Sequence, residues 1–205
     1  DLRRPLAARG RARDEPAVGR SLEFLAGAAV VQGAGSIDGS GGSIDGTRAG
    51  VLSCYTGMLA RLFIEAGRTE AAEPLVRWIV RHQPMAFGGV SYLQPPGPLW
   101  DERLRRRYGG CMAQTTCLLG VVPTMSALVA ARRAGMQVEV QPQLDATRRL
   151  LVDRRVMFGR TGSVMPLAGR TAKDPEGVRW LLPAFPLNYV IDLIELVQLA
   201  VDLDV

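Results

Sequence analysis

Lysine is nearly absent: Lys173 is the only one among 25 basic residues, so the positive charge is almost wholly arginine. The net charge of +5 and a pI near 9.6 raise the question of nucleic acid. A nucleic-acid footprint needs a continuous basic face interleaved with aromatics. Here the arginines are scattered, apart from Arg3, Arg4, Arg9, Arg11 and Arg13 and the run from Arg103 to Arg107, and aromatics make up only 6% of the chain. A nucleic-acid partner is therefore not expected. Cysteine is also scarce, with three in all, an odd number without the short spacings of a disulfide framework, and a reducing, cytoplasmic setting fits better. Long uninterrupted apolar runs are missing too. The richest, from Leu187 to Val205, is broken by Asp192, Glu195, Asp202 and Asp204, which argues against a membrane span. Sustained alternation of period two is lacking, so no strand is expected.

What remains is a chain of 205 residues, 47% hydrophobic and 22% charged, enough for one sizeable core. Residues 1–19 are rich in Arg, Ala, Gly and Pro and are expected to form a poorly ordered basic arm, with a helical domain over 20–205. A first helix is expected from Ser21, whose hydroxyl would cap it, through Val31. The paired segments Gly35-Ser-Ile-Asp-Gly39 and Gly42-Ser-Ile-Asp-Gly46 then read as a turn-rich connection. Asp38 and Asp45 lack the ligand density of a calcium loop.

Between Arg48 and Ala66, the residues Val51, Leu52, Tyr55, Met58, Leu59, Leu62 and Phe63 recur at intervals of three and four, one face of a helix that Gly67 stops. A second helix, Glu70 to Gln83, ends at Pro84 and completes an αα-hairpin. Residues 84–109 read as a long loop. Helices over 114–135 and 143–155 form a second hairpin, with Pro123 expected to kink the former unless the regular part starts just before it. A last helix is expected over 187–202. Cys54-x-x-Gly57 and Cys117-x-x-Gly120, each followed by an apolar run, stand 63 residues apart. Tyr189-x-x-Asp192 is a looser third copy, 72 further on, and such a period points to a repeat fold. The expected architecture is all-α, a stack of helical hairpins each burying its apolar stripe against the next.

Four blocks carry a family resemblance: Ser53-Cys-Tyr-Thr-Gly-Met-Leu59, Trp78-Ile-Val-Arg-His-Gln83, Cys111-x5-Cys117-x-x-Gly-Val-Val122, and Trp180-x4-Phe-Pro-Leu-x-Tyr-x-x-Asp-x-x-Glu195. Over residues 48 to 205 the chain resembles squalene/terpene-cyclase-like and prenyltransferase-like α/α-toroid proteins, in particular their poorly characterised bacterial branch. The resemblance implies inner helices opening at Cys54, Cys117 and Tyr189, outer helices over 70–83 and 143–155, and an apolar cavity for an isoprenoid-like small molecule. Such rings usually need about five hairpins, and fewer are placed here. An incomplete ring is the expectation, whether as a fragment, an open arc or a subunit that closes by association.

The chain has neither the DxDD pattern that supplies a cyclase proton nor a DDxxD for magnesium-bound diphosphate. Whether it is catalytic is therefore left open, and a non-catalytic repeat scaffold for a protein or lipid partner is the alternative. Asp192 and Glu195, three apart on the last helix, are either a carboxylate pair facing the cavity or a solvated surface pair, the second being the simpler reading. Thr56, Thr116 and Tyr189 stand near inner-helix starts as cavity-rim polar groups. No cofactor is required. A zinc-dependent transferase would draw its ligands from Cys54, Cys111, Cys117 and His82, although Cys54 and Cys117 beside Gly57 and Gly120 also suit close helix packing.

Overall fold

A computed structural model describes residues 15–29, 52–87, 89–94, 117–156, 158, 164, 181 and 192–205. Among these, six helices and one small sheet follow in order: α1 (Pro16–Ala29), α2 (Ser53–Glu65), α3 (Thr69–His82), β1 (Met85–Phe87), β2 (Val90–Leu93), α4 (Leu118–Arg133), α5 (Gln141–Asp153) and α6 (Leu193–Asp202). The mainly helical expectation holds in this form.

The first helix begins earlier than expected, inside the presumed arm. Pro16 opens it, since a ring-fixed φ suits a first helical position where the missing N–H goes unused. Ser21 is thus interior rather than a cap, and its hydroxyl donates back to Ala17 O at 2.9 Å.

Helix α2 keeps its core stripe, with Leu59, Ala60, Phe63 and Ile64 buried. It stops in a Schellman turn: Gly67, at φ 75°, lets Arg68 N donate to Phe63 O at 2.8 Å and Gly67 N to Ile64 O at 2.9 Å. Helix α4 ends in the same way at Gly135, φ 68°, with Met136 N on Ala131 O at 3.1 Å. Helix α6 ends likewise at Asp204, φ 55°, with Val205 N on Ala200 O at 3.0 Å. These three stops stand 68 (67 to 135) and 69 (135 to 204) residues apart. Helix α5 stops in the same way at Arg155, φ 46°, with Val156 N on Leu151 O at 2.6 Å, so this stop does not by itself register a repeat. Cys54 lies inside α2, whereas Cys117 is the N-cap residue of α4, so the two are not equivalent.

Glycine sets how α2 and α4 meet. A Cβ on Gly57 would stand 2.7 Å from Thr124 Cα and closer still to the Thr124 nitrogen, and one on Gly120 would meet Ser53 Cβ at 3.2 Å. Ser53 beside Gly120 and Gly57 beside Thr124 place the two helices side by side in the same direction. Pro123 sits at this contact within α4 and does not end it. The Thr124 hydroxyl donates to Gly120 O at 2.6 Å, taking up one carbonyl of that turn. Helix α6 runs parallel as well: it packs on α4, and Arg133 at the end of α4 meets Asp202 at the end of α6 at 2.7 Å.

Helix α4 is the centre of the molecule, touching α2, α3, α5 and α6. Before Arg132 only Leu119, Ser126 and Ala130 are not buried, a single line at i, i+7 and i+11. A helix apolar on nearly every side belongs in the middle of a core.

The expected loop after α3 holds instead an antiparallel hairpin, with Phe87 paired to Val90 and Met85 fully buried. It docks on α5. Arg154 is 3% exposed and donates to Phe87 O at 2.9 Å while its guanidinium lies 5.2 Å from the Phe87 ring centre. Arg149 reaches Tyr92 O at 3.2 Å.

Candidate functional site

Two sides of the α2/α4 pair differ in character. On the closed side small residues bring the backbones together; on the other, α2 presents Met58 (45% exposed) and Leu62 (42%) directly opposite its core stripe. The unburied line of α4, Leu119, Ser126 and Ala130, opens on the same side. That follows from the register: with Gly57 against Thr124 and Ser53 against Gly120, the Met58 and Leu62 direction of α2 and the Leu119 direction of α4 point the same way around parallel axes.

Arg61 belongs to this open side, since 58, 61, 62 and 65 fall on one helix face. Its Nε is 2.7 Å from Glu65 Oε1. Its positive charge also acts on Glu195 of α6. Burial pushes the Glu195 carboxyl above its ordinary value, with Asp192 adding to the rise and Arg61 opposing it. Ile194, 63% exposed, Val197 and Val201 form an exposed apolar line on α6, on the side away from its buried Leu196 and Leu199.

The carboxylates 192 and 195 do not form the solvated pair that their spacing suggests. Asp192 is 3% exposed and caps α6, its Oδ1 accepting from Glu195 N at 3.1 Å. Glu195 alone is half-open. Of the helices α2 to α6, only α6 has a side-chain cap.

Thr56 is fully buried and spends its hydroxyl on Leu52 O at 2.9 Å, so it does not stand at a rim. Cys54 and Cys117 are buried. His82 ends α3 half-buried, its ring centre 5.2 Å from that of Trp78, and burial, with Arg81 beside it, lowers its pKa below 6.5. Among the described residues no three His, Cys, Asp or Glu side chains gather as a metal site. Cys111, Thr116 and Tyr189 lie outside the described residues.

Arg61 was missed by the sequence reading, although its place in the Met58–Leu62 stripe was visible there. Gln83 was missed too: it is 2% exposed where α3 ends beside Gly120, its Nε2 donates to Pro84 O at 2.9 Å, and its Oε1 has no partner among the described residues.

The arrangement is thus an exposed apolar face on α2 that also carries the Arg61–Glu65 ion pair, on a helical scaffold. No helix among the described residues is long and apolar enough to cross a membrane. No family model, curated protein or solved structure matches the chain.

Proposed function

We propose that the chain is an α/α-toroid-like repeat whose open side, formed by α2, α4 and the start of α6, binds an elongated apolar ligand of isoprenoid type. The observation that carries this is the exposure of Met58 and Leu62 on α2 and of Ile194 on α6, the two helices that flank α4, each opposite its own core stripe. Contiguous exposed apolar residues mark binding surfaces, and an elongated hydrocarbon suits a wall of parallel helices. Three parallel helices, two of them followed by a returning helix, are also what an arc of hairpins requires. The reading is one of binding, with no reaction assigned, because the acid and metal-diphosphate motifs are absent from the sequence.

The test is titration of the full chain with a fluorescent farnesyl-chain probe, comparing wild type with the Met58→Asp/Leu62→Asp double variant. Saturable binding weakened about tenfold or more, with the urea midpoint unchanged, is the expected result. Equal affinity in both proteins, or no binding by wild type at millimolar probe, overturns the proposal. The continuation Ile194, Val197 and Val201, at i, i+3 and i+7, favours a second reading, a scaffold that pairs with a partner helix.

A further inference from the structure

We propose that the first turns of α2 and α4, together with Gln83, form a second site, separate from the open side, for a small α-hydroxycarboxylate. Gln83 is 2% exposed, and its Nε2 donates to Pro84 O at 2.9 Å. That bond fixes which way the amide lies, since a flip would set two oxygens against each other. Its Oε1 is therefore the atom turned to the start of α4. It stands 3.7 Å from where a Cβ on Gly120 would sit and has no partner among the described residues. An acceptor withdrawn from water and left unpaired is costly, and a ligand that donates to it recovers that cost.

The surroundings of Oε1 call for negative charge as well. Gly120 is the third residue of α4 and Ser53 the first of α2, and the two helices run side by side in the same direction, so their N-terminal ends adjoin. Neither end is capped by the side chain of its N-cap residue, Leu52 for α2 and Cys117 for α4, whereas α6 supplies its own carboxylate in Asp192. In α4, Gly120 N and Val121 N both donate to Cys117 O, at 2.9 and 2.8 Å, which leaves the N–H groups of Leu118 and Leu119 with no acceptor inside the helix. Two adjoining N-termini place partial positive charge at one spot, with N–H groups ready to hold an anion. Ser53 Oγ, 3.9 Å from the same Cβ position on Gly120, is a further donor there.

Oε1 needs a donor and the helix ends need an anion, so the ligand must carry both within a few atoms. A water would serve Oε1 alone. A plain carboxylate would serve the helix ends and leave Oε1 facing a methyl group. An ammonium would supply the donor but bring a cation to two positive helix ends. A hydroxyl on the carbon next to a carboxylate meets both demands. The setting is also narrow: Ser53 Cβ lies 3.2 Å from the Cβ position of Gly120, Gln83, Ser53, Cys117 and Leu118 are buried, and only Leu119 of that turn is partly open. That limits the ligand to a short acid and separates this site from one for an elongated hydrocarbon.

The experiment titrates the full chain with glycolate, acetate and glycolamide, in wild type and Gln83→Met, by calorimetry and by the amide resonances of Leu118, Leu119 and Gly120. Acetate keeps the charge and lacks the donor; glycolamide keeps the hydroxyl and lacks the charge. The expected result is glycolate binding about tenfold tighter than either, with those three resonances shifting. In Gln83→Met, which keeps the length of the side chain and removes the amide oxygen, glycolate and acetate should bind alike. Equal binding of glycolate and acetate by wild type overturns the proposal, as does a preference for glycolate that Gln83→Met retains. No binding of any probe by wild type at about 50 mM overturns it too, and leaves Oε1 to a water. Should Gln83→Met not fold, as its urea transition would show, the order of the three probes in wild type and the amide shifts decide the matter.

Discussion

Gly57 and Met58 are neighbours in sequence and opposites in structure. Gly57 faces the backbone of α4 with no room for a methyl group; Met58, next along the helix, faces away from the core and is 45% exposed. One side of α2 is specified by what cannot be added, and the other by apolar groups that folding leaves uncovered. Under the proposed reading, stability and binding fall on different sides of the same helix, and substitutions on each side should separate them.

The largest effect is expected on the closed side. Gly57→Ala puts a Cβ within 2.7 Å of Thr124 Cα, which no rotamer can relieve, so α2 and α4 must move apart. Overpacking of this kind costs about 1–3 kcal/mol or more, and backbone against backbone belongs at the upper end. Met58→Ser, one residue on, should change the urea unfolding midpoint by no more than about 0.5 kcal/mol equivalent. If the two variants prove equally stable, the contrast between the sides is wrong.

The same contrast explains what could be read from the sequence. Period and punctuation gave α2, α3 and α4 to within a few residues, because each pairs an apolar stripe with a Gly or Pro stop; α5 was found from its stripe alone, since it stops at Arg155 with neither residue. Cys-x-x-Gly drew attention to helix starts, yet Cys54 lies inside α2 and Cys117 caps α4; the left-handed stops at Gly67, Gly135, Arg155 and Asp204 were legible only where the residue is glycine. The hairpin Met85–Leu93 escaped because its strands are three and four residues long, too short for alternation to show; Gly88-Gly89 between them was the usable signal. The site was the least legible. That Met58 and Leu62 stay uncovered while Leu59 and Phe63 are buried depends on where α4 lies, and no spacing within α2 carries that.

A smaller effect is expected at Asp192, the buried N-cap of α6. Asp192→Ala removes the acceptor for Glu195 N and should destabilise by about 1–2 kcal/mol, while Asp192→Asn keeps an oxygen at the cap and should recover most of this. Equal losses in both, measured by urea unfolding, would make the charge and not the cap the important property.

The smallest effect belongs to Glu195, three residues on and on the open side. Its folded pKa lies above the ordinary 4.5 because burial disfavours the ionised form, so the folded state holds its proton at a pH where the unfolded state has released it. The sign follows directly. The favourable contribution is full below pH 4.5 and fades as pH rises from there through the raised folded pKa, a slope opposite to that of a salt-bridged carboxylate. Glu195→Gln should remove that fall, so the difference in unfolding free energy between wild type and variant should shift in favour of the variant as pH rises across this window, then level off. With Glu195 half-open to solvent the change is small, and the direction is what the comparison reads. A shift in favour of wild type over the same window would mean that Arg61 governs Glu195 more strongly than burial does. The open side would then carry an electrostatic pairing between Arg61 and Glu195 that outweighs the desolvation of the carboxyl.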